Sequence, residues 1–99
     1  MFAVVYLFEV KKDSEEQFIR AWKDMTHLIY EHEGSMGSRL HRQENGSYIA
    51  YAQWPNRETW INSGDKLPDV ANDIRIKMRD SCTKLETLFE LDCVEDLLK

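Results

Sequence analysis

Two side chains, Asn56 and Trp60, have types and a spacing that could do chemistry. Residues four apart lie on the same face of a helix, so both could reach one bound molecule. An indole can stack on a flat ligand or donate its N–H, and an amide can donate a hydrogen bond to a developing oxyanion. Asn56 also suits an N-cap and Trp60 suits a core position, and either structural role is compatible with lining a pocket.

Other polar side chains are weaker candidates for a site. His41 shares one face of a predicted strand with Arg39, a pattern typical of a solvated or edge face that could also bind a ligand. His27 and Glu31 are four apart on a predicted helix, and without further ligands they favour a solvent-facing pair over a metal site. No nucleotide-binding or zinc motif occurs, so the sequence predicts no metal and no cofactor.

The composition indicates one small globular domain over residues 1–99, with 42% hydrophobic and 11% aromatic residues. The formal net charge of −5 argues against nucleic acid as a partner. No apolar run is long enough to span a membrane, and the apolar start runs into Glu9 and Lys11 without a cleavage-like site. Cys82 and Cys93 form no Cys-x-x-Cys motif. We therefore predict a soluble, cytoplasmic protein with reduced thiols and no membrane partner.

Hydrophobic periodicity predicts four strands and three helices. Asp13 and Glu16 suit a capping box at the start of the first helix, and Gly34 suits its end. Asn45-Gly46 predicts a two-residue hairpin turn in which both residues have positive φ. The predicted strands are 2–10, 37–44, 48–54 and 85–93, and the predicted helices are 14–32, 57–63 and 68–81.

The order of these elements is βαββαβ, which predicts a ferredoxin-like α+β fold with an antiparallel sheet. Helices cover one face of such a sheet and leave the other open. The first strand is apolar on both faces, with Phe2 and Val4 on one side and Ala3 and Val5 on the other. Because no remaining segment can cover the second face, we predict a homodimer in which another copy does so.

Four groups of residues then suggest a family. They are Phe2–Glu9, Phe18 with Trp22, Glu33-Gly34 and, most specifically, Tyr51–Trp60. Together they resemble the antibiotic biosynthesis monooxygenase (ABM) superfamily, with a similarity that spans roughly residues 2–93. The resemblance implies a dimeric α+β barrel and cofactor-independent oxygenation of an aromatic, phenolic or quinol-like small molecule.

The quinone-forming members of that superfamily pair an Asn with a Trp four residues later, which implies catalytic roles for Asn56 and Trp60. Candidate substrate-binding residues are Tyr6, Arg39, His41 and Tyr51. The heme-degrading members use an Asn on the first strand, a Trp on the short helix and a His on the last helix. All three are missing from the matching positions, where Ser63 stands for the Trp, so heme degradation is not expected.

A second function remains open at the level of sequence. The chain could be a non-catalytic dimeric barrel that binds a hydrophobic ligand or serves as an interaction module, since fold alone does not decide function. An enclosed apolar pocket between helices and sheet, containing Asn56, Trp60 and a Tyr or Arg, favours the enzyme. A space filled by Trp60 as a core residue favours the non-catalytic protein.

Overall fold

The computed structural model describes residues 1–99 and contains four strands and three helices. The strands are β1 (Phe2–Val10), β2 (Ser38–Arg42), β3 (Tyr48–Trp54) and β4 (Cys82–Asp92), and the helices are α1 (Glu15–His32), α2 (Arg57–Ile61) and α3 (Val70–Asp80). All strand pairs are antiparallel, in the order β2-β3-β1-β4. The predicted ferredoxin-like α+β fold is confirmed.

Strand β1 is one of the two central strands, and it pairs with both β3 and β4. Its register against β3 runs from Phe2 opposite Trp54 to Phe8 opposite Tyr48. Its pairing with β4 has an irregularity between Val5 and Tyr6, where one strand must accommodate an extra residue. Strands paired on both sides have their backbone groups satisfied, so β1 is a rigid base for side chains on either face.

The helices cover the face of β1 that carries Phe2, Val4 and Phe8, and these three side chains are buried. Helix α1 contributes a buried stripe at helical spacing that includes Phe18, as its periodicity predicts. The Phe18 ring lies 4.9 Å from that of Phe8 and 5.2 Å from that of Tyr48, measured between centroids. Tilted aromatic pairs at these distances are favourable, so this cluster fixes α1 on the sheet.

The ends of the long helices differ from the prediction. Ser14, not Asp13, is the N-cap of α1, and no side chain caps that end, so the predicted capping box is wrong. Gly34 has φ +81°, as expected for the residue that ends the helix. Helix α3 begins at Val70 rather than at 68, and Val70 is exposed because the next residue, Ala71, is the one that faces the core.

The hairpin between β2 and β3 has a longer turn than predicted. The Gln43 N–H donates to the Ser47 carbonyl across three loop residues, and only Gly46 has positive φ, at +92°. The Asn45 side chain accepts hydrogen bonds from the Ser47 N–H at 3.0 Å and from its hydroxyl at 2.7 Å. This local bonding closes the turn while Asn45 keeps negative φ. The turn is therefore followed by a bulge at Gly46, the residue with positive φ.

Strand β4 also differs from the prediction, since it begins at Cys82 rather than at 85. Cys82 pairs with Val10, the last residue of β1. Strand β2 is shorter than predicted at both ends.

The second face of the sheet is uncovered, and it carries a row of apolar side chains on β1 and β4, as the alternation in β1 predicts. Val5 lies opposite Phe89 and Ala3 lies opposite Leu91 in the register of β1 and β4. Phe89 is 58% exposed and Leu91 is 43% exposed. We call this surface the open face. Among the helices, none has both the length and the apolar character that a membrane crossing requires.

Candidate functional site

A cavity of about 160 Å³ lies on the covered side of the sheet, and nine of its twelve lining residues are hydrophobic. Tyr6 and Trp54 form part of its sheet side, together with the small Ala52, and α1 contributes Trp22 and Ile29. Alanine at this position leaves space that a larger side chain would fill. None of the lining residues is Asp, Glu, His, Lys or Arg, so the cavity is an apolar site with a few hydroxyl and indole groups.

The Tyr6 hydroxyl is held by Trp60, whose Nε1–H donates a hydrogen bond to the Tyr6 oxygen at 2.8 Å. Burial raises the pKa of Tyr6 above its ordinary value of 10.0, and the Trp60 hydrogen bond opposes part of that shift. Tyr6 is therefore a neutral phenol at physiological pH. Its oxygen accepts one hydrogen bond, and the hydroxyl donates to no group of the protein.

Trp60 contacts Tyr6 but does not itself line the cavity. It packs against the cluster of Phe2, Val4 and Trp54, and its ring lies 5.8 Å from the Phe2 ring. Its indole N–H is committed to Tyr6, and its ring does not line the cavity, so Trp60 does not stack on a ligand bound there. Its position makes it a residue that orients the Tyr6 hydroxyl.

Asn56 is the N-cap of α2, as the sequence predicts. Its Oδ1 accepts hydrogen bonds from the Thr59 N–H and the Thr59 hydroxyl, both at 2.8 Å. Asn56 is exposed and does not line the apolar cavity; it borders a polar hollow that also contains Glu58. The structure therefore connects Asn56 to the site through α2, which carries Trp60.

Glu33 also positions α2, a role that could not be predicted from its place before Gly34. Its carboxylate is buried and accepts hydrogen bonds from the backbone N–H groups of Gly64 and Lys66, the second at 3.1 Å. These bonds tie the end of α1 to the segment that follows α2. A Cβ on Gly34 would lie 3.3 Å from the Thr59 methyl carbon, so α1 and α2 approach closely here.

Three of the predicted substrate-binding residues lie away from the cavity. Arg39 pairs with Tyr51 across β2 and β3, and His41 pairs with Ile49, whereas Ser38 lines the cavity one position away. Because side chains alternate along a strand, Arg39, His41 and Tyr51 share the open face. The structure brings Tyr6 and Trp60 together and leaves the other three candidates on the opposite side of the sheet.

Several cavity residues were not predicted as site residues, and Trp54 is the most informative of them. It is 3% exposed, and its Nε1 is the buried side-chain polar atom that has no hydrogen-bond partner. Its alternation with Ala52 along β3 placed it on the helix-covered face. That signal could not reveal the cavity, because the cavity depends on how α1 packs.

No group of three or more His, Cys, Asp and Glu side chains is arranged to hold a metal ion. Burial raises the pKa of the Cys82 thiol, with a smaller opposing effect from Lys11, and Cys93 is exposed.

Comparison with known protein families finds a match over residues 1–64 to the family described as antibiotic biosynthesis monooxygenase. The chain belongs to the antibiotic biosynthesis monooxygenase family. The matched region runs from β1 to the end of α2, so it contains Tyr6, Trp54 and Trp60. The ABM resemblance seen in the sequence is thereby confirmed. A search of curated proteins found no match.

Solved structures share the fold of this ABM chain over nearly its whole length. One is a variant of SnoaB from Streptomyces nogalater, a cofactor-independent oxygenase; it is 17% identical, with a TM-score of 0.77 and coverage of 99% of this chain and 97% of that one. Another is Rv0793 from Mycobacterium tuberculosis, 14% identical, with a TM-score of 0.70 and coverage of 95% and 98%. At these identities the likeness shows a common ABM-type fold.

Proposed function

We propose that this chain is a cofactor-independent monooxygenase that oxidises a small phenolic, quinol-like or other aromatic molecule. The observation that carries the proposal is Tyr6, which lines an apolar cavity while its hydroxyl oxygen accepts a hydrogen bond from Trp60. Membership of the ABM family supports it. So does the oxygenase activity in the description of SnoaB, which has the same fold.

In this reaction the substrate itself supplies the electrons. A phenol or an enolisable ketone loses a proton, and the resulting anion reduces dioxygen and forms a carbon–oxygen bond. The substrate loses two hydrogens and gains one oxygen atom, and the second oxygen atom leaves with those hydrogens as water. In an enolisable ketone both hydrogens come from one carbon, whereas in a phenol one comes from a ring carbon and one from the hydroxyl. Four electrons pass from the substrate to dioxygen, so the equation balances without a further reductant.

The protein contributes by stabilising the anion in apolar surroundings. A neutral Tyr6 donates a hydrogen bond to the substrate oxygen as negative charge develops on it, and the apolar walls strengthen that bond. The walls hold no carboxylate or imidazole, so the substrate proton passes to solvent rather than to a side chain of the cavity. Trp60 keeps the Tyr6 hydroxyl in place, and Asn56 acts through the helix that carries Trp60.

Oxygen uptake tests the proposal with two matched tyrosine variants. A panel of phenols, hydroquinones and anthrone is assayed with the wild-type protein, Tyr6→Phe and Tyr51→Phe, after subtraction of uncatalysed oxidation. We expect Tyr6→Phe to lower kcat/KM about a hundredfold, as removal of an oxyanion donor does. Tyr51→Phe also removes a tyrosine hydroxyl, but one on the open face, and should leave the rate unchanged. Equal rates for Tyr6→Phe and the wild type would remove Tyr6 from the mechanism.

In the non-catalytic alternative, the cavity binds a ligand and no reaction takes place. Two observations favour it. Asn56 and Trp60 do not line the cavity, and Trp60 packs against the core cluster instead. In addition, no side chain able to act as a general base lines the cavity. In that case aromatic ligands bind, as calorimetry would show, while no substrate of the panel is consumed with oxygen. Uptake of oxygen that depends on Tyr6 excludes this alternative.

We also propose that the chain forms a homodimer through the open face. The support is the row of apolar residues there: Val5 and Leu7 are half-buried, and Phe89 and Leu91 are exposed. A contiguous apolar surface of this kind is rarely left in water. A second copy has the same surface, so pairing two sheets face to face covers both at once.

A further inference from the structure

The cavity that Tyr6 lines is small for a site that binds aromatic molecules. Its volume is about 160 Å³, and an apolar cavity of about 150 Å³ in a protein is known to hold benzene. Pockets that enclose drug-sized ligands have volumes of about 300–1,000 Å³. One aromatic ring, or two fused rings at most, therefore fits between these walls, and three or four fused rings need more room than the walls leave.

The walls of the cavity differ in how easily they can move. Phe8, Ala52 and Trp54 are buried on the two central strands, whose paired backbones hold them in place. The helices contribute Met25 and Met78, and a methionine side chain is flexible enough to rearrange around a ligand. The size of the ligand is thus limited on the sheet side by the strands, and on the helix side by any wall residue that is both bulky and stiff.

Trp22 on α1 is that residue on the helix side. It lines the cavity and packs against the core cluster that contains Phe8 and Phe18. An indole has few rotatable bonds and is held by these contacts, so it cannot fold away as a methionine can. Because Trp22 is only half-buried, a smaller side chain in its place should cost less stability than a truncation of Phe8 or Trp54.

We propose that the cavity admits aromatic molecules of one ring or two fused rings, and that Trp22 is the residue that excludes larger ones. This rests on the proposed function in one respect, since the cavity is taken as the substrate site. The substrate class narrows from aromatic molecules in general to phenols, hydroquinones and naphthols. Ring number affects binding before any reaction, so it can be tested without oxygen.

The first test uses the wild-type protein and three phenols that differ in ring number: phenol, 2-naphthol and 2-anthrol. Equilibrium dialysis in oxygen-free buffer gives the dissociation constant of each. We expect 2-naphthol to bind more tightly than phenol, because it buries more apolar surface. Overlap of the third ring with the walls should make 2-anthrol bind about tenfold more weakly than 2-naphthol. Binding of 2-anthrol as tight as that of 2-naphthol would overturn the size limit.

The second test replaces Trp22. Trp22→Leu enlarges the cavity and keeps an apolar contact with the core, so the affinity for 2-anthrol should rise about tenfold. Tyr30→Leu is the matched control, because Tyr30 is an aromatic residue of the same helix that is 40% exposed and does not line the cavity. It should keep the wild-type order of affinities. If Trp22→Leu does not fold, Trp22→Phe removes less of the side chain and should shift the affinity in the same direction.

A folded variant at Trp22 that rejects 2-anthrol as strongly as the wild type would contradict the role of Trp22. Ala52→Val tests the size limit in the opposite direction, since Ala52 lines the cavity and is 7% exposed. The added methyl groups reduce the volume and should weaken binding of 2-naphthol about tenfold while phenol binds nearly as before. Unchanged binding of 2-naphthol in that variant would contradict the size limit.

Failure of this proposal and failure of the proposed function give different results. Binding that depends on ring number and on Trp22, with no oxygen uptake on any phenol, would support the size limit and contradict the monooxygenase. Oxygen uptake that depends on Tyr6 and is as fast with anthrone as with naphthol would support the monooxygenase and contradict the size limit.

Discussion

Tyr6 and Trp60 depend on each other although they are 54 residues apart in sequence. The hydrogen bond between them forms because β1 and α2 meet on the covered side of the sheet. Both residues could be singled out from sequence by type, and Trp60 by its spacing from Asn56. Their contact could not be predicted, since it depends on tertiary packing rather than on any local pattern.

The raised pKa of Tyr6 has a consequence for stability. Burial favours the neutral phenol in the folded state, while in the unfolded chain Tyr6 ionises near its ordinary value of 10.0. The contribution from Tyr6 is thus fully present below pH 10 and is lost as pH rises through the raised pKa. We expect the wild-type protein to lose stability relative to Tyr6→Phe above about pH 10, and to show a constant difference below it.

Urea denaturation at a series of pH values measures this difference. Tyr51→Phe is the control, because it removes a tyrosine hydroxyl that lies outside the cavity. Burial also raises the pKa of Tyr48, but all three proteins contain Tyr48, so its effect on stability is the same in each. A difference between wild type and Tyr6→Phe that stays constant to the highest pH would show that Tyr6 is not held neutral by burial.

At the scale of elements, α2 depends on its cap. Asn56→Ala removes the acceptor for the Thr59 N–H and hydroxyl and should lower the free energy of unfolding by about 1 kcal/mol. Asn56→Ser replaces the cap with another good capping residue and should recover most of that loss. Because serine has no amide, the pair of variants separates capping from donation to a substrate.

Activity measured on the same two variants completes the comparison. If Asn56 acts by holding α2 and Trp60, Asn56→Ser retains most of the rate and Asn56→Ala loses more. A rate that falls equally in both variants, with stability restored in Asn56→Ser, would show that the Asn56 amide contacts the substrate.

The strands and helices themselves could largely be predicted from periodicity, and β1 and β3 agree with the structure residue for residue. The errors lie at element ends, where single hydrogen bonds decide the outcome. The Asn45 side chain and the backbone of Gln43 together close the hairpin turn, and Ser14 rather than Asp13 is the N-cap of α1. Such choices are between nearly equal local alternatives, and sequence patterns do not resolve them.

At the scale of the whole molecule, the open face should control association. We expect light scattering at micromolar concentration to give twice the 11.7 kDa mass of one chain. Phe89→Asp places a charge among the exposed apolar side chains of the open face and should give the single-chain mass. Ile76→Asp makes the same change at an exposed position on α3 and should stay dimeric. A wild-type protein that is monomeric under these conditions would contradict the proposed dimer.

The fold could be predicted because its layers follow from the order of the elements, and the open face because β1 is apolar on both sides. The cavity could not be predicted, since it is the volume left between α1, α3 and the sheet after packing. Alternation placed Arg39, His41 and Tyr51 together on one face, but only the packing of the helices shows that the cavity lies on the other.

Oxygenation in the cavity that Tyr6 lines should need dioxygen alone. Turnover of naphthol under isotopically labelled dioxygen, followed by mass spectrometry of the product, tests it most directly. We expect one labelled oxygen atom in the naphthoquinone formed, with the rate reduced about a hundredfold in Tyr6→Phe. Product without the label, or labelled product formed equally fast by Tyr6→Phe, would contradict the claim.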